Sequence, residues 1–136
     1  MTFESKIAIV VREDLMAWQK LNVTAFLAGG LAGSDPKVAG DPYADASGRT
    51  YLPLIVQPVL VFAADAEGIR GAYERAISRS IPIGIYTEEL FATNNDVDNR
   101  AAVRNVAAGD LRLVGIVMRA PKRDVDRVTK GLRLHA

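Results

Sequence analysis

The chain is expected to fold as an α/β sandwich. Three observations point there. Four apolar runs of strand length, residues 7–11 (IAIVV), 54–63 (LIVQPVLVFA), 81–86 (IPIGIY) and 111–118 (LRLVGIVM), are spaced along 136 residues. The first run, 7–11, is continuous rather than alternating, the pattern of a strand covered on both faces. The intervals between them carry helical periodicity, so strands and helices take turns. The expected order is β-α-loop-β-α-β-α-β-α, one domain over residues 1–136 with a mostly parallel or mixed sheet.

Taken in order, residues 1–5 form a short tail. The first strand, 7–11, is β-branched and ends in Arg12, Glu13 and Asp14, which place charge at its carboxyl end. The helix after it begins near Ala17 or Trp18. Leu21, Ala25 and Ala28 share one face, and Val23, Phe26 or Leu27, and Leu31 another. From Val23 onward it is apolar nearly all round, which implies deep burial. Gly29 and Gly30 loosen its end or allow close packing, and Gly33, Ser34, Asp35 and Pro36 stop it. Residues 34–53 are an insertion or long loop, with a short hairpin expected around Ser47 and Gly48.

Pro58 cannot donate a ladder hydrogen bond, so the second strand should start at Val59. Asp65 has the place of a helix N-cap, with Glu67 in the first turn. Ile69, Ala72, Tyr73, Ala76 and Ile77 then fall at i, i+3, i+4, i+7 and i+8, an amphipathic helix. The third strand, 81–86, opens with Pro82 where proline is tolerated and ends in Thr87, Glu88 and Glu89. Residues 94–99 (NNDVDN) are a turn with Asn95 or Asp96 as cap of a helix over 97–106. The fourth strand, 111–118, leads to Pro121 as a first helical residue. Val125, Val128 and Leu132 then carry a last helix.

Composition closes several routes to function. There is no Cys, which excludes disulfides, thiolate-held metals and thiol nucleophiles. The one His, His135, lies next to the C-terminus, so neither a Ser–His–Asp triad nor a multi-His metal site is expected. No cofactor and no metal are expected. Seventeen basic and sixteen acidic residues leave a net charge of +1, with no footprint for nucleic acid or a membrane surface. No apolar run reaches 18 residues, and the N-terminus lacks a basic segment before its apolar run. A cytoplasmic location is expected.

The familiar motifs are absent. Gly29, Gly30 and Gly33 end a helix and do not match G-x-G-x-x-G, and there is no Walker A or G-x-S-x-G sequence. Asn94, Asp96 and Asp98 imitate a calcium loop, but the sixth position is Asn99 and the twelfth Asn105, where Gly and Glu are needed. The six basic residues within 119–133 are interleaved with Asp124 and Asp126, the pattern of a solvated helix face. Lys20 is the residue singled out for chemistry, a cation near the carboxyl ends of the strands able to hold a phosphate or polarise a carbonyl. Glu88 and Asp14 are its candidate carboxylate partners. A surface ion pair of little weight is the plain alternative.

The opening KIAIVVREDL, the block PVLVFAADAEGIRGAYERAISRSIPIGIYTEEL and the ending DLRLVGIVMRAPKRDVDRVTKGLRL resemble peptidyl-tRNA hydrolase of the second, archaeal and eukaryotic type. They are more similar still to a bacterial family termed domain of unknown function 2000. The resemblance spans most of the chain apart from the 36–53 excursion. It implies a three-layer α/β/α sandwich with a four-stranded mixed sheet, and a homodimer. It also implies site residues. Lys20 matches the hydrolase lysine and Thr24 stands where that enzyme has glutamine. Glu88 takes the place of its aspartate. Ala92 takes the place of its threonine, with Thr93 adjacent. Asp14, Trp18, Asn22 and Thr93 are the substrate-binding candidates around this set.

Two functions are therefore expected in parallel. One is a small hydrolase or transferase for an acyl or phosphorylated small molecule, with Lys20 holding the substrate, Glu88 as base or water-positioner and Thr24 assisting. The other is a non-catalytic homodimeric module that binds a ligand or a protein in the same crevice. Peptidyl-tRNA hydrolysis is the third. The near-neutral charge argues against tRNA, because phosphate contacts dominate such affinity.

Overall fold

The computed structural model describes residues 3–136; Met1 and Thr2, the start of the expected tail, lie outside the described residues. The element order is β1 (Ser5–Arg12), α1 (Ala17–Ser34), β2 (Tyr43–Ala44), β3 (Thr50–Tyr51), β4 (Val59–Ala64), α2 (Ala66–Ser78), β5 (Ile83–Thr87), α3 (Asp96–Arg104), β6 (Leu113–Pro121), α4 (Lys122–Val128) and β7 (Arg133–Leu134). Short 3₁₀ turns occupy Glu88–Ala92 and Ala108–Asp110.

The fold is a mixed α/β fold with a five-stranded sheet ordered β5-β6-β1-β4-β7. β1 pairs parallel with β4, and β6 runs antiparallel to both β1 and β5. β1, β4 and β5 therefore point the same way and end at one rim of the sheet. Helix α1 covers one face, with Val23 and Leu27 packed among Ile9, Val11 and Val117. Helices α2 and α4 cover the other, where Ile69, Ala72, Val125 and Val128 meet Ala8, Val10, Ile116 and Met118. Side chains of β1 alternate between these two cores, which is why its sequence runs apolar without a break.

Several expectations hold in detail. β4 starts at Val59, directly after Pro58. Asp65 caps α2 by accepting from the Gly68 N–H at 2.7 Å, and Asn95 caps α3 by accepting from the Asp98 N–H at 2.8 Å. The expected hairpin is present, with Tyr43 opposite Tyr51 and a turn closed by Gly48 at φ +82°.

Others are corrected. The sheet has five strands, not four: α4 stops at Val128, and Gly131, at φ +84°, turns the chain back. Arg133 and Leu134 then pair with Ala63 and Phe62 on the outer edge of β4. Leu132 accordingly belongs to this return and not to the last helix, and a two-residue strand is too short to show any periodicity. Pro121 ends β6 and stands as the N-cap of α4, one position before the first helical residue. Helix α1 runs unbroken through Gly29 and Gly30, with nothing packed against either, and ends at Ser34, within the stop expected at residues 33–36. It is not deeply buried: only Val23 and Leu27 are, while Leu21 is 70 % and Phe26 55 % exposed. Nothing in the described chain lies outside α1, so only the stripe facing the sheet loses contact with water.

Candidate functional site

The rim where β1, β4 and β5 end carries a line of alternating charges. Arg12, the last residue of β1, donates from Nη1 to Glu88 Oε1 at 2.5 Å and from Nε to Asp14 Oδ1 at 2.7 Å. Glu88 Oε2 meets Arg112 Nη1 at 3.3 Å, and Arg112 continues to Glu89 through Nη2 at 2.8 Å and Nε at 3.0 Å. The order Asp14–Arg12–Glu88–Arg112–Glu89 thus joins the ends of β1 and β5 to the residue before β6. A register shift between Tyr86 and Thr87 lets Thr87 pair with Leu113 and skip Val114. Such bulges bend a strand and re-aim the residues beyond them. Here it brings the Glu88 N–H onto the Arg112 carbonyl at 3.0 Å.

The network sets the ionisation of its members. Partial burial opposes charge on Arg12, but its bonds to Asp14 and Glu88 outweigh that and hold the guanidinium above its ordinary value. Glu89 is held below the ordinary carboxylate range, first by its own backbone N–H and then by Arg112. Behind them Thr87 is buried, and among the described residues its hydroxyl has no partner of good hydrogen-bond geometry, the Glu89 carboxylate being the acceptor near it.

A cleft of about 590 Å³ opens beside this line. Arg12, Glu88, Arg112, Leu111 and Leu113 form one wall, and Glu67, Arg70 and Glu74 of α2 the other. Arg70 is held by Glu74 at 3.3 Å, by the Ala108 carbonyl at 2.9 Å and over the Tyr73 ring at 4.9 Å. Three cations and three carboxylates line this cleft at the carboxyl ends of the strands, the usual place for a ligand in an open α/β sheet. Among the described residues no group of three His, Cys, Asp or Glu could hold a metal ion.

The site residues expected from sequence divide into separate groups. Glu88 and Asp14 are brought together, through Arg12. Lys20 pairs instead with His135, Nζ to Nε2 at 3.1 Å. An ammonium can only donate, so His135 accepts at Nε2 and carries its proton on Nδ1, facing the Ala136 carbonyl at 2.8 Å. The His135 N–H bonds the Val61 carbonyl at 2.8 Å, which continues the β7 pairing and brings the C-terminus to α1. Trp18 meets the Phe91 ring edge-on at 6.0 Å. Thr24 bonds the Leu21 carbonyl of its own helix, and Thr93 bonds the Leu90 carbonyl and Asn99. Asn22 is exposed. Arg112 and Glu89 fall outside the expected set. The available sign was an arginine inside the apolar run 111–118, two residues after the Gly109–Asp110 turn.

The family description "Protein of unknown function (DUF2000)" matches residues 5–136. A solved structure of a protein of unknown function from Agrobacterium tumefaciens strain C58 is similar at 42% sequence identity, with a TM-score of 0.95. The match covers 99% of this chain and 100% of that one. No curated protein matches the chain.

Proposed function

The chain belongs to the DUF2000 family of proteins of unknown function, and from that membership we propose a ligand-binding module of peptidyl-tRNA-hydrolase-II-like fold whose site is the strand-end cleft. The fold reading is supported by the four long strands β5, β6, β1 and β4, their mixed directions and the helices on both faces. One observation carries the binding reading. Glu88 has both oxygens engaged, one by Arg12 and the other by Arg112, at the wall of the cleft. Glu88 bridges two guanidinium groups, one contact to each, and guanidinium groups are the donors that receive a carboxylate or phosphate. A small anionic ligand enters by taking over some of those donors.

The experiment compares thermal midpoints of the wild type and Glu88→Gln in chloride and in inorganic phosphate at equal ionic strength. In chloride the variant loses about 1–3 kcal/mol, because the partly buried Arg12 guanidinium loses one of its two carboxylate partners. Phosphate restores most of that loss, and adding Arg112→Gln removes the restoration. If phosphate acts no differently from chloride on either protein, the binding reading is wrong.

A second reading, a small hydrolase or transferase using Lys20, Glu88 and Thr24, is favoured by the opening of Glu88 onto the cleft at the end of β5. Its expected outcome is turnover of a small acyl ester or an N-blocked aminoacyl-tRNA that Lys20→Ala and Glu88→Gln each abolish. Turnover indifferent to both substitutions counts against it. A homodimer belongs to either reading.

A further inference from the structure

A second concavity lies on the opposite face of the sheet and shares no residue with the cleft. It is a groove of about 770 Å³ between α1, the edge strand β5 and α3, within the size range of small-molecule sites. Its floor is apolar, with Leu27, Leu31, Leu90 and Val117.

Polar donors stand at its two ends. Ile83 pairs with Met118 and Tyr86 with Gly115, so Arg119 lies by Pro82 and Tyr86 lies four residues further along β5. At a rise of roughly 3.3 Å per residue the two ends are about 13 Å apart. Arg119 is weakly held for a guanidinium with 28 % side-chain exposure: Asp35 is at 3.3 Å and Gln57 at 3.4 Å. Charge-assisted bonds prefer about 2.7–2.9 Å. Tyr86 is 5 % exposed and wedged between Phe26 and Phe91, and no hydrogen bond of its hydroxyl is found among the described residues. Burial pushes its phenol above the ordinary value, so at neutral pH it is a donor.

The walls are kept low by glycine. A Cβ on Gly84 would stand 2.8 Å from Val117 Cγ1, whereas a Cβ on Gly30 would meet nothing within 4 Å. Gly30 sits inside α1, where glycine costs roughly 1 kcal/mol relative to alanine. No packing among the described residues requires it, and it lines the groove.

We propose that this groove binds an elongated apolar carboxylate, with its acid group at Arg119, its body along Leu27, Leu31 and Val117, and an acceptor oxygen at the Tyr86 hydroxyl. A positive donor at one end, a neutral donor at the other and an apolar floor between them match that chemistry. The inference does not rest on the cleft.

Calorimetric titration of the full chain with monomethyl sebacate, decanoate and 1-decanol tests it. Monomethyl sebacate carries both an acid and an ester carbonyl and binds tightest. Decanoate, without the second acceptor, binds roughly fivefold weaker, and decanol, without the charge, at least about tenfold weaker. Gly30→Leu projects into the groove from a position whose Cβ meets nothing within 4 Å, so it keeps or raises the thermal midpoint and lowers the affinity for monomethyl sebacate at least about tenfold. Tyr86→Phe leaves decanoate binding unchanged and removes the advantage of the ester. The proposal is overturned if Gly30→Leu binds as well as wild type, or if none of the three binds up to about 1 mM. It is also overturned if an end-blocked apolar peptide binds where the acids do not, which would assign the groove to strand pairing on β5.

Discussion

At the scale of single residues, the placement of α1 depends on Gly115. A Cβ there would overlap Val23 Cγ1 and stand 2.9 Å from Leu27 Cδ1, the two side chains by which the helix is buried. Gly115→Ala should therefore cost about 1–3 kcal/mol, the range for overpacking a tight contact. Gly29→Ala, in the same helix but with nothing within 4 Å of its Cβ, should be neutral or stabilising by up to about 1 kcal/mol. Urea unfolding of the pair checks this, and equal losses would refute it. The glycine at 115 is visible in the sequence as an interruption in an apolar strand. What it makes room for is not. The same holds for Lys20: its position on α1 was readable, but its partner is His135, 115 residues away.

At the scale of elements, the hairpin shows how a segment with little core is held. Residues 41–52 are all exposed, and Tyr43, Tyr51 and Leu52 lie on the surface. Asp45 organises the turn, accepting from the Tyr51 hydroxyl at 2.7 Å and from the Ser47 and Arg49 N–H groups. Those bonds, led by Tyr51, hold its carboxyl below the ordinary value, and the Tyr51 phenol is correspondingly raised. A carboxylate favoured in the folded form supports the hairpin fully above its unfolded pKa, near 3.9. That support is lost as pH falls through the lowered folded value. Amide exchange at Ser47 and Arg49 should therefore show protection that fades in acid below about pH 4. In Asp45→Asn protection should be lower throughout and no longer fade over that window. Protection in the wild type that is independent of pH would mean Asp45 does not hold the turn. The hairpin was legible from Ser47 and Gly48. That Asp45, not an apolar pair, would anchor it was not, because its three donors converge only once the turn has formed.

At the scale of the whole molecule, two surfaces remain apolar and uncovered. On α1 Leu21 and Phe26 are exposed, and after the hairpin Leu52 is 86 % and Leu54 62 % exposed. Where such residues join into a contiguous patch they mark association sites. The homodimer implied by the family resemblance predicts light scattering at twice the 14.7 kDa chain mass at micromolar concentration. Leu21→Glu should return it to the single-chain mass. A wild type that already scatters as one chain would dismiss the dimer. No helix among the described residues is long and apolar enough to cross a membrane.

The sequence by itself determined the α/β alternation, the four long strands, the start of β4 after Pro58 and the cap at Asp65, and it narrowed the α3 cap to Asn95 or Asp96. Each is written in a local pattern of a few residues, through side-chain periodicity, the missing proline N–H or an oxygen placed to meet a nearby N–H. It also placed Arg12, Asp14 and Glu88 at strand ends. Only the tertiary structure decided that Arg12 and Arg112 share Glu88, that Lys20 turns to the C-terminus, that a two-residue strand closes the edge of β4, and that most of an apolar helix faces water. Those outcomes depend on which segments become neighbours in the sheet. A pairing between residues 76 or 115 positions apart leaves no trace in the spacing of either one.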